Sequence, residues 1–190
     1  LLSFLEVDIR GMIKANIGNE GADVWTGMTT LSKNYMVFSG AIFTLYVIPK
    51  FTGIYKKKDF LKETGNIYKT LLPLFAVGMI VIYYGRHLIV DYIFVDYVAM
   101  KPLFKWQLLG DFLRLATIVL GNQFFAKKMV KSFIFSELLS IVLFYFLAYY
   151  LSNIYGVEGV VMGHFIRYLI LLFVVFYLVM RSFKKQHKLE

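Results

Sequence analysis

Along nearly the whole chain, apolar runs of span length alternate with short polar breaks. A bilayer core about 30 Å thick is crossed by about 20 mostly apolar helical residues, because only intrahelical bonding satisfies the backbone where water is absent. The pattern therefore predicts helices over 25–48 (ending at Pro49), 67–85, 103–125, 132–151 and 157–180, with a truncated one over 1–15. Between the third and fourth of these six lies "RHLIVDYIFVDYVAMK", 86–101, which is apolar but interrupted by Asp91 and Asp96. It suits an interfacial loop helix better than a span.

Composition agrees with that reading. Of 190 residues 59% are hydrophobic and 17% charged, whereas globular domains run at about 45–50% and about 25%. The expected fold class is all-α, a polytopic transmembrane bundle of five full spans plus the truncated one, forming one domain over 1–190. No repeat or low-complexity segment divides it. The chain opens on Leu1, and "LLSFLEVDIRGMIK" reads as the end of a helix, so it is expected to be a fragment of a longer protein. The absence of cysteine excludes disulfides, thiolate metal sites and thiol catalysis.

The net charge of +9 would suggest nucleic acid in a soluble protein. Here the informative quantity is its distribution across the bilayer. Alternating the spans puts Lys50, Lys56, Lys57, Lys58, Lys62, Lys69, Lys127, Lys128, Lys131, Arg181, Lys184, Lys185 and Lys188 on one side. Only Lys14, Arg86, Lys101 and Lys105 fall on the other. The rich side is expected to be cytoplasmic, with the C-terminus there, in a multi-pass membrane protein. The loop 50–65, "KFTGIYKKKDFLKETG", reads as a solvated topology signal, or as a basic amphipathic stretch on anionic headgroups.

Eight ionisable residues remain in or near the spans: Arg10, Lys33, Arg114 and Arg167, with Glu6, Asp8, Asp111 and Glu137. Each such group is costly at mid-membrane, about 2.5–3.5 kcal/mol on insertion scales, and requires a partner or a water-filled cavity. Gln107, Asp111 and Arg114 follow i, i+4, i+7 and share a stripe, so Asp111 is expected to pair with Arg114 and to face the cavity; the plainer alternative is an ion pair that only orients the helix. His164 and Arg167 share a face, beside Gly156, Gly159 and Gly163, which allow close helix approach; His164 alone reads first as a hydrogen-bonded packing residue, with a functional role as the alternative. Glu137 has no basic partner within a turn. It is the candidate for a group that changes protonation, since low dielectric disfavours an unpaired carboxylate's charged form. Lys33 either faces the cavity or snorkels to an interface.

Charged faces on several helices of one short chain describe a polar pathway through a bundle. Their cationic excess favours an anionic substrate group, and arginine suits phosphate or pyrophosphate through bidentate bonds. No phosphate-cradling glycine loop, His-rich metal cluster or serine nucleophile motif is present. Transport is thus expected rather than catalysis, with no catalytic residues, no metal and no cofactor.

The runs "VWTGMTTLSKNYMVF", "LYVIPKF", "LFKWQLLGDFLRLA", "SFIFSELL" and "YGVEGVVMGHFIRYLI" resemble, in order and spacing, the C-terminal half of Wzx-type flippases. These are the O-antigen and enterobacterial common antigen translocases in the polysaccharide transporter branch of the MOP exporter superfamily. The resemblance covers nearly the whole chain and rests most on "YVIPK", on "FKWQLLGD" followed by Arg114, and on Ser136-Glu137. It implies about twelve helices in two pseudo-related lobes, of which this chain supplies the second. It further implies movement of an undecaprenyl-pyrophosphate-linked repeat unit from the cytoplasmic to the periplasmic leaflet by alternating access, in O-antigen and lipopolysaccharide biosynthesis. Membrane lipid and polysaccharide polymerase machinery are the further partners it implies. Lys33-Asn34, where the family pattern leads us to expect an acidic residue, and Arg167, where a neutral polar one is commoner, depart from the pattern and make the cavity more positive.

The resulting expectation assigns Arg10, Lys33, Arg114 and Arg167 to the substrate anion and Asp111 or Glu137 to ion coupling. Three alternatives stay open. A multidrug exporter of the same superfamily is expected to have acidic and aromatic cavity walls. A membrane-embedded polymerase or transferase needs a large catalytic loop, and a non-transporting assembly subunit needs its charges mutually paired and dry.

Overall fold

The computed structural model describes residues 2–186, with side chains for 5–183; Lys184, Lys185 and Lys188 of the basic side lie outside the described side chains. The architecture is all-helical among the described residues. In order come α1 (Leu2–Asn16), α2 (Asn19–Thr52), α3 (Lys57–Ile93), a short 3-10 turn (Val98–Met100), α4 (Leu103–Ala126), and a helical hairpin of α5 (130–155) and α6 (157–186). Among the described residues α2, α3 and the α5–α6 hairpin have stretches long and apolar enough to cross a membrane. Helix α4 is not one of these, because Gln107, Asp111, Arg114, Asn122 and Gln123 interrupt its apolar run.

The helices run past the predicted ends at the close of α2 and at both ends of α3. Pro49 does not end α2, which continues to Thr52. Pro49 offers no N–H to the Leu45 carbonyl and crowds it, and the chain accommodates it by widening into a π turn over Phe43–Val47. The basic loop expected over 50–65 shrinks to residues 53–56, since α3 already starts at Lys57. At its other end α3 carries on through Asp91 to Ile93, so the first half of the expected interfacial loop helix is helix and the rest a turn, held by an Asp91–Lys101 ion pair of 2.7 Å. Asp91 is tolerated because it lies at the helix end, half exposed.

Glycines set the sharpest turns. Gly18, at φ +107°, ends α1, and its N–H donates to the Ile13 and Lys14 carbonyls. Gly156, at φ 60° and ψ −141°, reverses the chain between α5 and α6 within one residue. Beyond it the arms pack back to back. A Cβ on Gly159 would stand 2.0 Å from the Leu151 carbonyl oxygen, and one on Gly163 3.1 Å from the Ala148 nitrogen. Where apolar burial supplies little drive between helices in lipid, such approach supplies the packing.

Helix α4 occupies the centre, with its face of Phe104, Leu108, Leu115 and Val119 buried. Trp106 Nε1–H donates to Glu158 Oε1 at 2.9 Å and ties its start to α6, while the Tyr68 hydroxyl donates to the Ala116 carbonyl at 2.8 Å and ties it to α3. The lysine-rich ends gather on one side. Phe51, Phe60 and Phe183 stack with centroids 4.9 and 5.3 Å apart, and Lys127 Nζ donates to the Thr52 carbonyl at 2.8 Å. On the far face of α3, Leu74, Val77, Val81 and Tyr84 are exposed, an apolar surface suited to acyl chains.

Gly159→Ala in the intact protein is expected to lower the thermal midpoint in detergent by the equivalent of about 1–3 kcal/mol. Gly78→Ala, where a Cβ meets nothing within 4 Å, serves as the comparison. Equal midpoints would show that the hairpin is not closed at Gly159.

Candidate functional site: a buried carboxylate network beside a cationic cavity

Asp111 lies in the middle of α4 with no exposed surface. Four donors converge on it. Ser32 Oγ donates to Oδ2 at 2.6 Å, Gln107 Nε2 to Oδ2 at 3.1 Å, and the Tyr35 hydroxyl also reaches Oδ2. His164 Nε2 lies 3.0 Å from Oδ1. A carboxylate so surrounded is the ionised form, since every partner present can donate and a protonated acid would waste one of them.

The far side of the imidazole fixes its tautomer. An Arg167 terminal nitrogen is 2.9 Å from His164 Nδ1, and arginine has only donors, so Nδ1 accepts and Nε2 carries the proton given to Asp111. Arg167 is 6% exposed, with its guanidinium carbon 4.3 Å from the Phe144 ring centroid and 4.4 Å from that of Tyr168. Two aromatic faces and one imidazole nitrogen thus hold a buried cation, and its Nε has no partner.

Gly110 makes this arrangement possible. A Cβ there would stand 2.3 Å from His164 Cδ2, so α6 can bring its imidazole to Asp111 only because the preceding residue has no side chain.

Beside the network lies a cavity of about 250 Å³ walled by α1, α2, α4, α5 and α6. Its charged lining is Glu6, Lys33, Arg114, Glu137 and Arg167, with His164 on the same wall. Lys33 Nζ and Glu6 Oε2 pair at 2.5 Å. Arg114 lies partly buried on the α4 wall, its guanidinium carbon 6.0 Å from the Tyr168 ring centroid. Among the described residues Glu137 has no ion-pair partner.

The expected site residues therefore divide. Lys33, Arg114, Arg167 and Glu137 come together on the cavity wall. Arg10 does not: it pairs with Asp23 at 2.7 Å, both more than two-fifths exposed, because i, i+4 from Glu6 is one full turn along a short helix and carries it beyond the cavity. Asp111 does not line the cavity either, and its partners are not the expected Arg114. Ser32, Tyr35 and His164 on neighbouring helices satisfy it, while Arg114 points away to the cavity. Ser32, Tyr35 and Gly110 were missed as network residues, although Ser32 and Tyr35 at i, i+3 form a short polar stripe within an apolar span.

No metal is suggested by the donor set, since no group of three or more His, Asp or Glu side chains is placed to hold one among the described residues.

Comparison with known proteins gives two curated relatives. The chain is 25% identical over 163 residues to a protein of Escherichia coli K12, and equally to one of Shigella flexneri. Both are named lipid III flippase. The match covers 85% of this chain but 39% of each relative, so the chain spans well under half their length. No protein-family profile and no solved structure matches the chain.

Double-mutant cycles on thermal stability are expected to give a coupling of about 0.5–3 kcal/mol between Asp111→Asn and His164→Ala. The coupling between Asp111→Asn and Arg114→Ala is expected to be smaller. The reverse order would restore the α4 ion pair and remove the network.

Proposed function

We propose that this chain is the second lobe of a multi-pass inner-membrane flippase that moves a polyprenyl-pyrophosphate-linked oligosaccharide from the cytoplasmic to the periplasmic leaflet. The observation that carries this reading is the cavity itself. Three cations, Lys33, Arg114 and Arg167, face two carboxylates across a space the size of a headgroup, and one carboxylate, Glu6, is already engaged by Lys33. The balance left over suits a phosphoanhydride, whose oxygens accept the forked donors of arginine.

The resemblance to Wzx-type translocases and the likeness to the two lipid III flippases support the same class of substrate. With 39% of the relatives' length present, the sugar chain and the rest of the pathway belong to the first lobe on this reading. The lipid tail stays in the bilayer, along the exposed apolar faces. Glu137, on the same wall and without an ion pair among the described residues, is the carboxylate available for ion coupling, and Asp111 serves as an anchor for His164. A multidrug exporter fits less well, since organic cations are disfavoured by a wall on which arginines outnumber unpaired carboxylates. The lysine-rich ends face the cytoplasm on this reading.

The test is complementation of a bacterial strain lacking its own lipid-linked glycan translocase, using the full-length parent protein. Arg114→Ala and Arg167→Ala are expected to reduce surface glycan by about ten- to a hundredfold, the equivalent of losing one charged hydrogen-bonding group each, at undiminished membrane level. Normal surface glycan in both variants would overturn the assignment of this cavity to the substrate.

A further inference from the structure

We infer that anion binding in this cavity and proton uptake by His164 are linked: an anion that engages Arg167 releases Nδ1 of His164, which then takes a proton from solvent in the cavity. This deepens the proposed function and rests on its placing of the substrate anion beside Arg167.

The argument begins with what prevents protonation in the empty cavity. His164 Nδ1 is occupied by an Arg167 N–H at 2.9 Å, and a proton there would put two donors face to face. It would also place a second cation against the guanidinium, with Arg114 on the same wall. Nothing on the Asp111 side prevents it. The Nε2–H bond to Oδ1 at 3.0 Å survives protonation of Nδ1 and becomes a charged pair.

Arg167 is able to leave. Its hold consists of that single hydrogen bond and two ring faces, its Nε is buried without a partner, and it already lines the cavity. A diphosphate oxygen offers the guanidinium a charged acceptor, stronger than a neutral ring nitrogen. When Arg167 turns to it, Nδ1 is left as a vacant acceptor beside a new negative charge. Both changes favour imidazolium. The proton comes from water and no covalent bond to carbon or phosphorus is made or broken.

Other groups face the imidazole or its partners. Tyr35 on α2 is committed to Asp111, and Lys33 on α2 to Glu6 of α1. Tyr168 on α6 meets the imidazole edge-on at 5.0 Å. The wall carries two carboxylates, Glu6 on α1, paired with Lys33, and Glu137 on α5; Glu137 is the alternative proton acceptor that the experiment distinguishes.

The experiment is calorimetric titration of the purified full-length parent protein with a dialkyl diphosphate diester, a dianion that does not itself titrate near neutral pH. It is run at pH 7 in two buffers of different ionisation enthalpy. The wild type is expected to take up close to one proton per bound diester, and its affinity to rise as pH falls by at most about tenfold per unit. His164→Gln keeps one acceptor for Arg167 and one donor for Asp111 but cannot titrate, and is expected to bind with no uptake; Glu137→Gln is expected to retain uptake. Wild-type heats that do not depend on buffer, or uptake that persists in His164→Gln, would overturn the linkage while leaving the anion site standing. No binding of the diester by the wild type would overturn the anion site and the linkage together.

Discussion

A carboxylate held without exposure inside a helical membrane bundle has to be surrounded by donors, because an ionised group in low dielectric without them is prohibitively costly. Asp111 meets this requirement with Ser32 and Tyr35 from α2, Gln107 from its own helix and His164 from α6. The consequence is geometric. Three helices that would otherwise slide in an apolar medium acquire one relative height and one rotation, since four donors of fixed length must end on two oxygens. Hydrogen-bonded polar groups act this way between helices in bilayers.

Close approach is the condition for that convergence, and it comes from residues without side chains. Gly110 leaves room for the His164 ring, and Gly159 and Gly163 let α6 lie against the backbone of α5. The hairpin and the network therefore support each other. Gly156 turns the chain so that α6 returns alongside α5, and this return delivers both His164 and Arg167 to the same level of α4. Substitutions at these glycines act on the network from a distance, through helix position.

The electrostatics separate into a dry part and an open part. Asp111 is fully satisfied and faces no cavity, whereas Arg114, Lys33 and Glu137 do. Arg167 belongs to both, bonded to His164 on one side and lining the cavity on the other. It is therefore the residue through which a change in the cavity is felt by the interhelical network, and with it by the packing of α6 on α4.

The helices themselves were legible in the chain, because their number and order follow from apolar runs set against a bilayer of fixed thickness, and a local pattern carries that information. The small surface around Gly156, Gly159 and Gly163 was legible for the same reason, as was the grouping of basic ends that α2, α3, α4 and α6 bring together. The helix ends were less so. Continuation through Pro49 depends on a π turn, and the extension of α3 to Ile93 on a pairing of Asp91 with Lys101, neither of which periodicity shows. Least legible was the partner of Asp111. Helical spacing pointed to Arg114 three residues away, but of the four groups that satisfy it only Gln107 is local, and the other three stand 79, 76 and 53 residues distant along the chain. Sequence determined which charges had to be compensated; only tertiary packing decided by whom, because compensation requires contact and contact between helices is set by their height and rotation in the bundle.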